Sequence, residues 1–212
     1  MKKLILVVGS DKIGTEAIYK IEKLNFPNQL KIVIDKSSNV KRIIKLLNRK
    51  ILQPNLIFKL FFAEFLRKRH KIKFYPSVRK EDELEKKIKD IRPDIVLLYR
   101  CGLILNKDIL DLPPLFLNIH ASSLPDYGGL GTINRALKNN ALSQNATLHE
   151  VISKIDSGKV LEEVPYQLNK KIFYYENEKI AYEAALKLLL KTLSNLISKK
   201  PFKYLVWLKH LT

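Results

Sequence analysis

The stretch Lys3–Ser10, KLILVVGS, is an apolar run that ends in a glycine turn. Apolar residues at helical spacing follow from Ile13 to Leu24, and a second β-branched run, LKIVID, covers Leu30–Asp35. An apolar strand, a glycine turn, a helix and another strand form the usual opening of a doubly wound α/β domain. We therefore predict an α/β fold with a mostly parallel sheet, in which ligands bind at the carboxyl ends of the strands.

The turn after the first run lacks the nucleotide-binding motifs that often occur there. Gly9 and Gly14 do not form G-x-G-x-x-G, and no Gly-Lys-Ser/Thr sequence follows them. A dinucleotide fingerprint and a P-loop are therefore excluded. Because strand ends line the crevice of such a sheet, Gly9 and Ser10 remain candidates for substrate contact, with a simple tight turn as the alternative.

The remaining chain continues as alternating strands and helices. The predicted elements are a short strand at Lys73–Tyr75, a charged helix at Lys80–Ile91, a central strand at Ile95–Tyr99, a helix at Thr132–Lys138, strands at Ala146–Ile152 and Val160–Tyr166, and a long helix at Glu178–Ser198. No repeat or low-complexity linker interrupts them, so we predict a single domain over residues 1–212. An apolar-rich tail, residues 199–212, could fold back on the domain or support a homodimer.

The charge of the chain is unevenly distributed. The 212 residues carry a formal net charge of +18, and residues 36–73 contain twelve Lys or Arg but only one acid, Glu64. Such a segment attracts phosphates, whether in RNA, in anionic lipid or in a nucleotide substrate. The alternative is that these lysines and arginines simply solvate an ordinary helical surface.

The same region is predicted to be a basic helical insertion, at about residues 38–72. Its first part, Ser38–Leu52, places apolar residues on one stripe, and its second part, Leu56–Leu66, contains four phenylalanines. The pattern fits a membrane-surface element, an RNA-contacting arm or a docked helical flap, besides simple packing against the domain.

Several classes of protein are disfavoured by the sequence. The apolar run after Lys2 and Lys3 is too short for a signal peptide, and no run approaches the length of a membrane span. The single cysteine, Cys101, excludes an internal disulfide and a thiolate zinc cluster. We therefore expect a cytoplasmic protein.

Polar residues that could carry chemistry interrupt the apolar stretch Leu115–Pro125, LFLNIHASSLP. Asn118 and His120 are two positions apart, so on a strand their side chains project from the same face. His149 and Asp156 follow later in the chain. Histidine can act as acid or base near neutral pH, a nearby Asp can support its charged form, and an Asn amide can donate to an oxygen that gains charge.

These roles together describe acyl transfer or hydrolysis without a covalent nucleophile. Ser122 and Ser123 do not lie in a G-x-S-x-G elbow, so a loop-wall role suits them better. A zinc site built from His120, His149 and Asp156 is the alternative, but the histidines lack H-x-x-x-H or H-E-x-x-H spacing.

The motifs resemble those of the folate-dependent formyltransferases, which include glycinamide ribonucleotide transformylase, methionyl-tRNA formyltransferase and the sugar N-formyltransferases. The matching motifs, in the family's order, are Asn118-Ile119-His120, Ser122-Ser123-Leu124-Pro125, Thr147-Leu148-His149 and Asp156-Ser157-Gly158. The upstream segments Cys101–Leu105 and Leu110–Pro113 also resemble the folate-side part of the tRNA and sugar branches.

The resemblance implies a Rossmann-like formyltransferase fold, N10-formyltetrahydrofolate as donor, a primary amine as acceptor and no metal. The implied catalytic residues are Asn118 as donor to the formyl oxygen, His120 for the proton balance and Asp156 as support for the imidazole. The implied folate-binding residues are Arg100, Cys101, Gly102, Leu103, Ile104, Val151, Ile152 and Ile155. The implied acceptor-binding residues are Gly9, Ser10, Ser122, Tyr127, Gly128, Gly129 and His149.

The resemblance leaves the acceptor less well defined. The turn Gly9–Lys12 lacks the Gly-Ser-Asn phosphate loop typical of the purine-pathway enzyme, and no segment after Ser198 is long enough for the extra domain of the tRNA enzyme. The basic insertion looks like those of some small sugar N-formyltransferases, so we expect a nucleotide-linked amino sugar. Glycinamide ribonucleotide and methionyl-tRNA are the alternatives, and a degenerate fold that binds RNA or a membrane surface is the non-enzymatic one.

Overall fold

The computed structural model describes residues 2–24, 26, 29–37 and 54–197. Within these residues the chain forms one sheet of seven strands, in the order β3-β2-β1-β4-β5-β6-β7. The strands are β1 Leu4–Gly9, β2 Leu30–Asp35, β3 Ser77–Val78, β4 Ile95–Tyr99, β5 Leu115–His120, β6 Ser143–Glu150 and β7 Val160–Gln167. The described helices are α1 Lys12–Lys23, α2 Pro54–Leu66, α3 Glu81–Ile91, α4 Lys107–Leu110, α5 Thr132–Lys138 and α6 Tyr174–Ile197.

The sheet is mostly parallel, as the sequence predicts. Strands β1 to β5 pair in parallel, whereas β6 pairs antiparallel with β5 and with β7. All residues of β1 and β4 are buried, which explains why both read as continuous apolar runs. The doubly wound α/β fold class is therefore confirmed, with an antiparallel extension at one edge.

Helices cover both faces of the sheet and bury one core on each side. On one face, buried residues of α1, α5 and α6 pack against the sheet; on the other, α3 and α4 contribute Leu84, Ile88 and Ile109. No helix among the described residues is long and apolar enough to cross a membrane. Both faces of the central strands are thereby removed from water, which leaves the strand ends as the accessible edge.

Helix α2 is the described part of the predicted helical insertion. It begins at Pro54, where the fixed φ of proline suits a first helical turn, and ends at Leu66. Residues 67–76 follow without helix or strand. The predicted first part of the insertion, residues 38–52, and the tail, residues 199–212, lie outside the described residues.

The predicted strand at Lys73–Tyr75 is wrong, because the paired residues are Ser77 and Val78. The backbone N–H of Lys73 and the hydroxyl of Tyr75 both donate to the Glu22 carboxylate of α1. This segment is therefore held against a helix, and the chain reaches the edge of the sheet only after it.

The close approach of α1 to the end of β1 depends on Gly14. A Cβ atom at this position would lie 1.8 Å from the backbone oxygen of Gly9. Backbone atoms at the end of a buried strand cannot move away without disturbing the sheet pairing. A residue without a side chain is therefore required where the helix begins.

We expect Gly14→Ala to destabilise the fold by about 1–3 kcal/mol, the usual cost of inserting a methyl group where no space exists. Chemical denaturation measures this change in the free energy of unfolding. Lys20→Ala, at an exposed position of the same helix, is the control and should leave stability nearly unchanged. Equal stability of the two variants would contradict the required close approach.

Candidate active site

The carboxyl end of β5 brings together the polar residues singled out from the sequence. Asn118 pairs with His149 across the antiparallel β5–β6 ladder, and His120 pairs with Thr147. The loop between β6 and β7 then folds back so that Asp156 reaches the same point. Pairing of the two strands thus places residues about thirty positions apart in direct contact.

The Asp156 carboxylate is the centre of this cluster. One oxygen, Oδ2, accepts a hydrogen bond of 2.7 Å from the Gly129 N–H and lies 3.5 Å from Nδ1 of His120. The other, Oδ1, lies 3.5 Å from Nδ2 of Asn118 and from Nε2 of His149. Asp156 has φ of 49°, a left-handed conformation that aspartate tolerates better than most residues. The turn thereby directs a largely buried carboxylate at two histidines.

The hydrogen bonds of His120 define which ring nitrogen can take up a proton. Its Nε2 lies 2.9 Å from the carbonyl oxygen of Tyr127. A carbonyl oxygen can only accept, so Nε2 carries a hydrogen and donates it. The lone pair of neutral His120 is therefore on Nδ1, which faces the Asp156 carboxylate. A proton taken up at Nδ1 would form an ion pair with that carboxylate.

The same reasoning fixes the form of His149. Its Nδ1 donates to the backbone oxygen of Glu150 at 2.8 Å, so neutral His149 has its lone pair on Nε2. That nitrogen accepts a hydrogen bond of 3.0 Å from Nδ2 of Asn118. Burial lowers the pKa of His149 below its ordinary value. A neutral, buried His149 therefore holds the Asn118 amide in one orientation.

The loop after β4 is anchored by a buried residue that the sequence analysis did not single out. The Asp35 carboxylate, at the end of β2, accepts hydrogen bonds from the backbone N–H groups of Ser37, Gly102 and Leu103. Its side chain thus fixes the position of the predicted folate loop. An acidic residue that closes an otherwise apolar strand, LKIVID, was the available signal.

Exposed apolar side chains flank the cluster in the two predicted folate segments. Ile104, in the loop after β4, and Ile152 and Ile155, in the loop after β6, are each about half exposed. Val151 instead packs into the core, and its N–H donates to the Phe116 carbonyl. Apolar side chains beside a polar cluster form a suitable surface for a flat aromatic ligand.

Arg100 is turned away from the rest of its loop. Its guanidinium donates to the Asp11 carboxylate and to the Tyr182 hydroxyl, and it lies over the Tyr182 ring. Cys101 and Leu103 pack against the core of the opposite face. The Arg100 side chain therefore lies against Asp11 and Tyr182 and points away from the backbone of residues 101–104.

The predicted acceptor-binding residues fall into three groups. Tyr127, Gly128 and Gly129 contact the cluster: the first through its carbonyl with His120, the others against Asp156. A second group, Gly9 and Ser10, lies at the end of β1, where Gly9 closely approaches the Arg100 backbone.

The third group, Ser122 and His149, is buried. The Ser122 hydroxyl bonds to the Ala121 carbonyl and the Thr132 hydroxyl, inside the loop rather than on its surface. His149 faces Asn118 and Asp156, as described above. Both side chains are therefore placed to shape the site from within.

Comparison with known proteins agrees with this geometry. The family model described as "Formyl transferase" matches residues 1–185 of the chain. The chain belongs to this family. The match covers every residue of the cluster around Asp156 and both flanking loops.

Two relatives illustrate the similarity in sequence. A methionyl-tRNA formyltransferase of Campylobacter jejuni subsp. doylei is 35% identical over 130 residues, which are 61% of this chain and 42% of that protein. The bifunctional polymyxin resistance protein ArnA of Wigglesworthia glossinidia brevipalpis is 32% identical over 146 residues, 67% of this chain and 22% of that protein. The chain thus spans less than half the length of these two relatives.

Solved structures resemble the fold over nearly the whole chain. A phosphoribosylglycinamide formyltransferase of Anaplasma phagocytophilum has a TM-score of 0.64 at 15% identity, covering 93% of this chain and 87% of that chain. A formyltetrahydrofolate deformylase of Pseudomonas syringae pv. tomato has a TM-score of 0.65 at 15% identity, covering 93% of this chain and 61% of that one. At this identity the likeness extends to the fold alone.

The lowered pKa of His149 predicts a pH-dependent stability. The unfolded chain takes up this proton near the ordinary histidine pKa, about 6.5, whereas the folded chain resists it to lower pH. The stabilisation is therefore present above about pH 6.5 and is lost as the pH falls towards the folded pKa. We expect the free energy of unfolding of the protein to decrease between about pH 7 and 5.

The free energy of unfolding of the His149→Gln variant should decrease less steeply over the same pH range, because the titrating group has been removed. Denaturant unfolding at a series of pH values gives the comparison, and Lys86→Ser, on the other face of the sheet, is the control that should keep the original dependence. Parallel curves of unfolding free energy against pH for the protein and for His149→Gln would show that this histidine does not contribute to the pH dependence.

Proposed function

We propose that this protein transfers a formyl group from N10-formyltetrahydrofolate to a primary amine. The observation that carries the proposal is the convergence of Asn118, His120 and Asp156 at one strand end in a chain of the formyl transferase family. These residues supply a hydrogen-bond donor, a proton carrier and a fixed negative charge, which acyl transfer to an amine requires.

Asn118 is proposed to stabilise the oxygen of the transferred formyl group as it gains negative charge. Its amide donates at 3.0 Å to His149, but the contact with Asp156 is long, at 3.5 Å. The weakly held N–H is the one that a substrate oxygen can engage, while the other stays bonded to His149. His149 is thus proposed to position Asn118.

His120 is proposed to carry the proton that the attacking amine loses. The amine must attack in its neutral form and becomes positively charged as the new C–N bond forms. Nδ1 of His120 takes up that proton, directly or through water, while Nε2 remains bonded to the Tyr127 carbonyl. Asp156 then compensates the charge of the imidazolium, whose proton would pass to N10 of the folate as the bond between N10 and the formyl carbon breaks.

The loops beside the cluster fit a folate. The backbone of residues 101–104 would bind the pterin, with Ile104, Ile152 and Ile155 packing on its flat face and on the adjoining ring. Asp35 would hold the first of these loops in place through Gly102 and Leu103. The bound folate supplies the formyl carbon, and the residues of the chain orient it.

We expect Asn118→Ala to reduce kcat by about 10²–10³, the usual cost of removing one donor to a developing oxyanion. His120→Ala should reduce it by about 10²–10⁴, because proton transfer is lost. The measurement is release of tetrahydrofolate from N10-formyltetrahydrofolate in the presence of a panel of amines.

Ser143→Ala is the matched control, since its exposed hydroxyl bonds only to Gln167 at the far end of β6. It should retain full turnover. Turnover unchanged in Asn118→Ala or His120→Ala, with the fold intact by circular dichroism, would contradict the mechanism.

The acceptor is proposed to be a nucleotide-linked amino sugar. One observation speaks against glycinamide ribonucleotide, the first alternative: at the N-terminus of α1, Asp11 accepts from the Gly14 N–H at 2.8 Å and Glu64 of α2 accepts from the Lys12 N–H at 2.9 Å. Two carboxylates thus occupy the donors that a phosphate would need. This arrangement disfavours a ribonucleotide phosphate at α1, because the N–H groups of Lys12 and Gly14 are already bonded.

Methionyl-tRNA remains the second candidate acceptor because of one specific observation. The segment Phe65–Lys80 contains seven Lys or Arg and no Asp or Glu, which suits a polyanion. The predicted cytoplasmic location and the predicted homodimer stay predictions.

We expect kcat/KM for a nucleotide-linked amino sugar to exceed that for glycinamide ribonucleotide by about 100-fold or more, since two hydrogen bonds to its phosphate, worth about 1.5–3 kcal/mol each, are not available at the α1 terminus. Turnover of both amines and of methionyl-tRNA, measured with one protein preparation, makes the comparison. The same mixture without protein gives the uncatalysed background. A preference for glycinamide ribonucleotide would contradict the assignment of the acceptor, though not the formyl transfer itself.

A further inference from the structure

Helix α2 presents four phenylalanines to solvent. Phe58, Phe61 and Phe65 are 69%, 72% and 72% exposed, and Phe62 is 47% exposed. Their spacing of three, four and seven residues places them on one face of the helix. Exposed aromatic side chains in a continuous stripe are uncommon on soluble domains and mark a surface that binds something.

The opposite side of α2 is firmly packed on the protein. Leu56 and Ala63 are buried, Lys59 donates to Asn134 of α5, and Glu64 bonds to α1. After the helix, Arg67 forms an ion pair of 2.6 Å with Glu178 of α6. Three polar contacts, one to each of three helices, fix the rotation of α2, so the phenylalanine stripe is held outward.

Positive charge lies next to the end of the stripe. Lys68, Arg69, Lys71 and Lys73 follow α2 directly and are all exposed. The sixteen residues from 65 to 80 contain no Asp or Glu, so no acid of the same segment offsets these cations. The chain therefore continues from an apolar ridge into an exposed cationic strip.

Cations from α1 extend this strip. His70 stacks on the ring of Tyr19, with ring centroids 4.6 Å apart, and the Lys23 ammonium lies 4.6 Å from the same ring. Lys23, Lys68 and Lys20 together lower the pKa of Tyr19, the hydrogen bond from Lys23 being the largest cause. The two segments thus gather their lysines on one side of the molecule.

Along α2 the separation of apolar and cationic groups distinguishes between partners, and Phe74, 96% exposed, adds apolar surface within the cationic strip. Proteins that bind single-stranded nucleic acid interleave aromatic side chains with cations, so that bases stack while phosphates are neutralised. On α2 the one lysine, Lys59, is engaged with Asn134 and lies over the Tyr174 ring. An uninterrupted hydrocarbon ridge bordered by cations instead matches the interface of an anionic bilayer.

We propose that the stripe Phe58–Phe61–Phe62–Phe65 inserts into the surface of an anionic membrane while Lys68, Arg69, Lys71 and Lys73 contact the lipid headgroups. The interaction is peripheral, because it buries one helix face at the headgroup level and requires no spanning segment. It is independent of the proposed formyl transfer, since none of these residues belongs to the cluster around Asp156.

The test is co-sedimentation of the full chain with vesicles of phosphatidylcholine alone or with about one third phosphatidylglycerol. The expected result is binding to the anionic vesicles only, weakening as salt rises from about 0.1 M to 0.5 M. Phe61→Ser/Phe65→Ser should reduce the partition coefficient by about tenfold or more, because two large apolar side chains no longer leave water.

Matched variants separate the possible causes of binding. Phe61→Leu/Phe65→Leu keeps the apolar surface but removes the rings, so it should retain most vesicle binding, whereas binding by base stacking would be lost. Lys68→Ser/Lys71→Ser should weaken binding at low salt, and Lys86→Ser/Lys89→Ser, on α3 at the other face of the sheet, should not.

Three outcomes would overturn the proposal. The first is absence of binding to anionic vesicles, and the second is binding that the serine pair at Phe61 and Phe65 leaves unchanged. The third is self-association through the stripe. In that case the mass of the protein would increase with its concentration, the same serine pair would abolish the increase, and vesicles would not bind. Formyl transfer to a small soluble amine is expected to be unchanged in every one of these variants.

Discussion

The arrangement of the candidate active site depends on one carboxylate, that of Asp156. It accepts the Gly129 N–H at 2.7 Å and lies 3.5 Å from both histidines and from the Asn118 amide. A largely buried carboxylate must be satisfied by donors or cations, so it draws the glycine-rich loop, β5 and β6 to one point. Because a proton on His120 would lie against this charge, the same contact that closes the site also sets its chemistry.

Much of this could be predicted from the sequence, because its signals are local. Continuous apolar runs identified the buried strands, and the two-residue spacing of Asn118 and His120 placed them on one face before any partner was known. The turn at Asp156 was found through its motif. Its contact with Gly129, by contrast, depends on a loop conformation with positive φ that no periodicity encodes.

The parts that escaped prediction are those fixed by long-range contacts. Asp35 anchors a loop 67 residues away, and its only local signal was an acid at a strand end. Lys73–Tyr75 has the composition of a strand, but it is bonded to Glu22 instead of to a neighbouring strand. Its hydrogen bonds to this helix side chain take the place of those to a sheet edge. Tertiary contact overrides local preference in both cases.

Helix α2 shows how an insertion can change a site without contributing to its chemistry. Its inner side carries Glu64 to the Lys12 N–H of α1, where burial raises the pKa of that carboxyl, and its outer side carries the phenylalanine stripe. Both faces belong to one rigid helix, so their positions are linked. One helix therefore closes the N-terminus of α1 with its inner side and presents the phenylalanine stripe to solvent with its outer side.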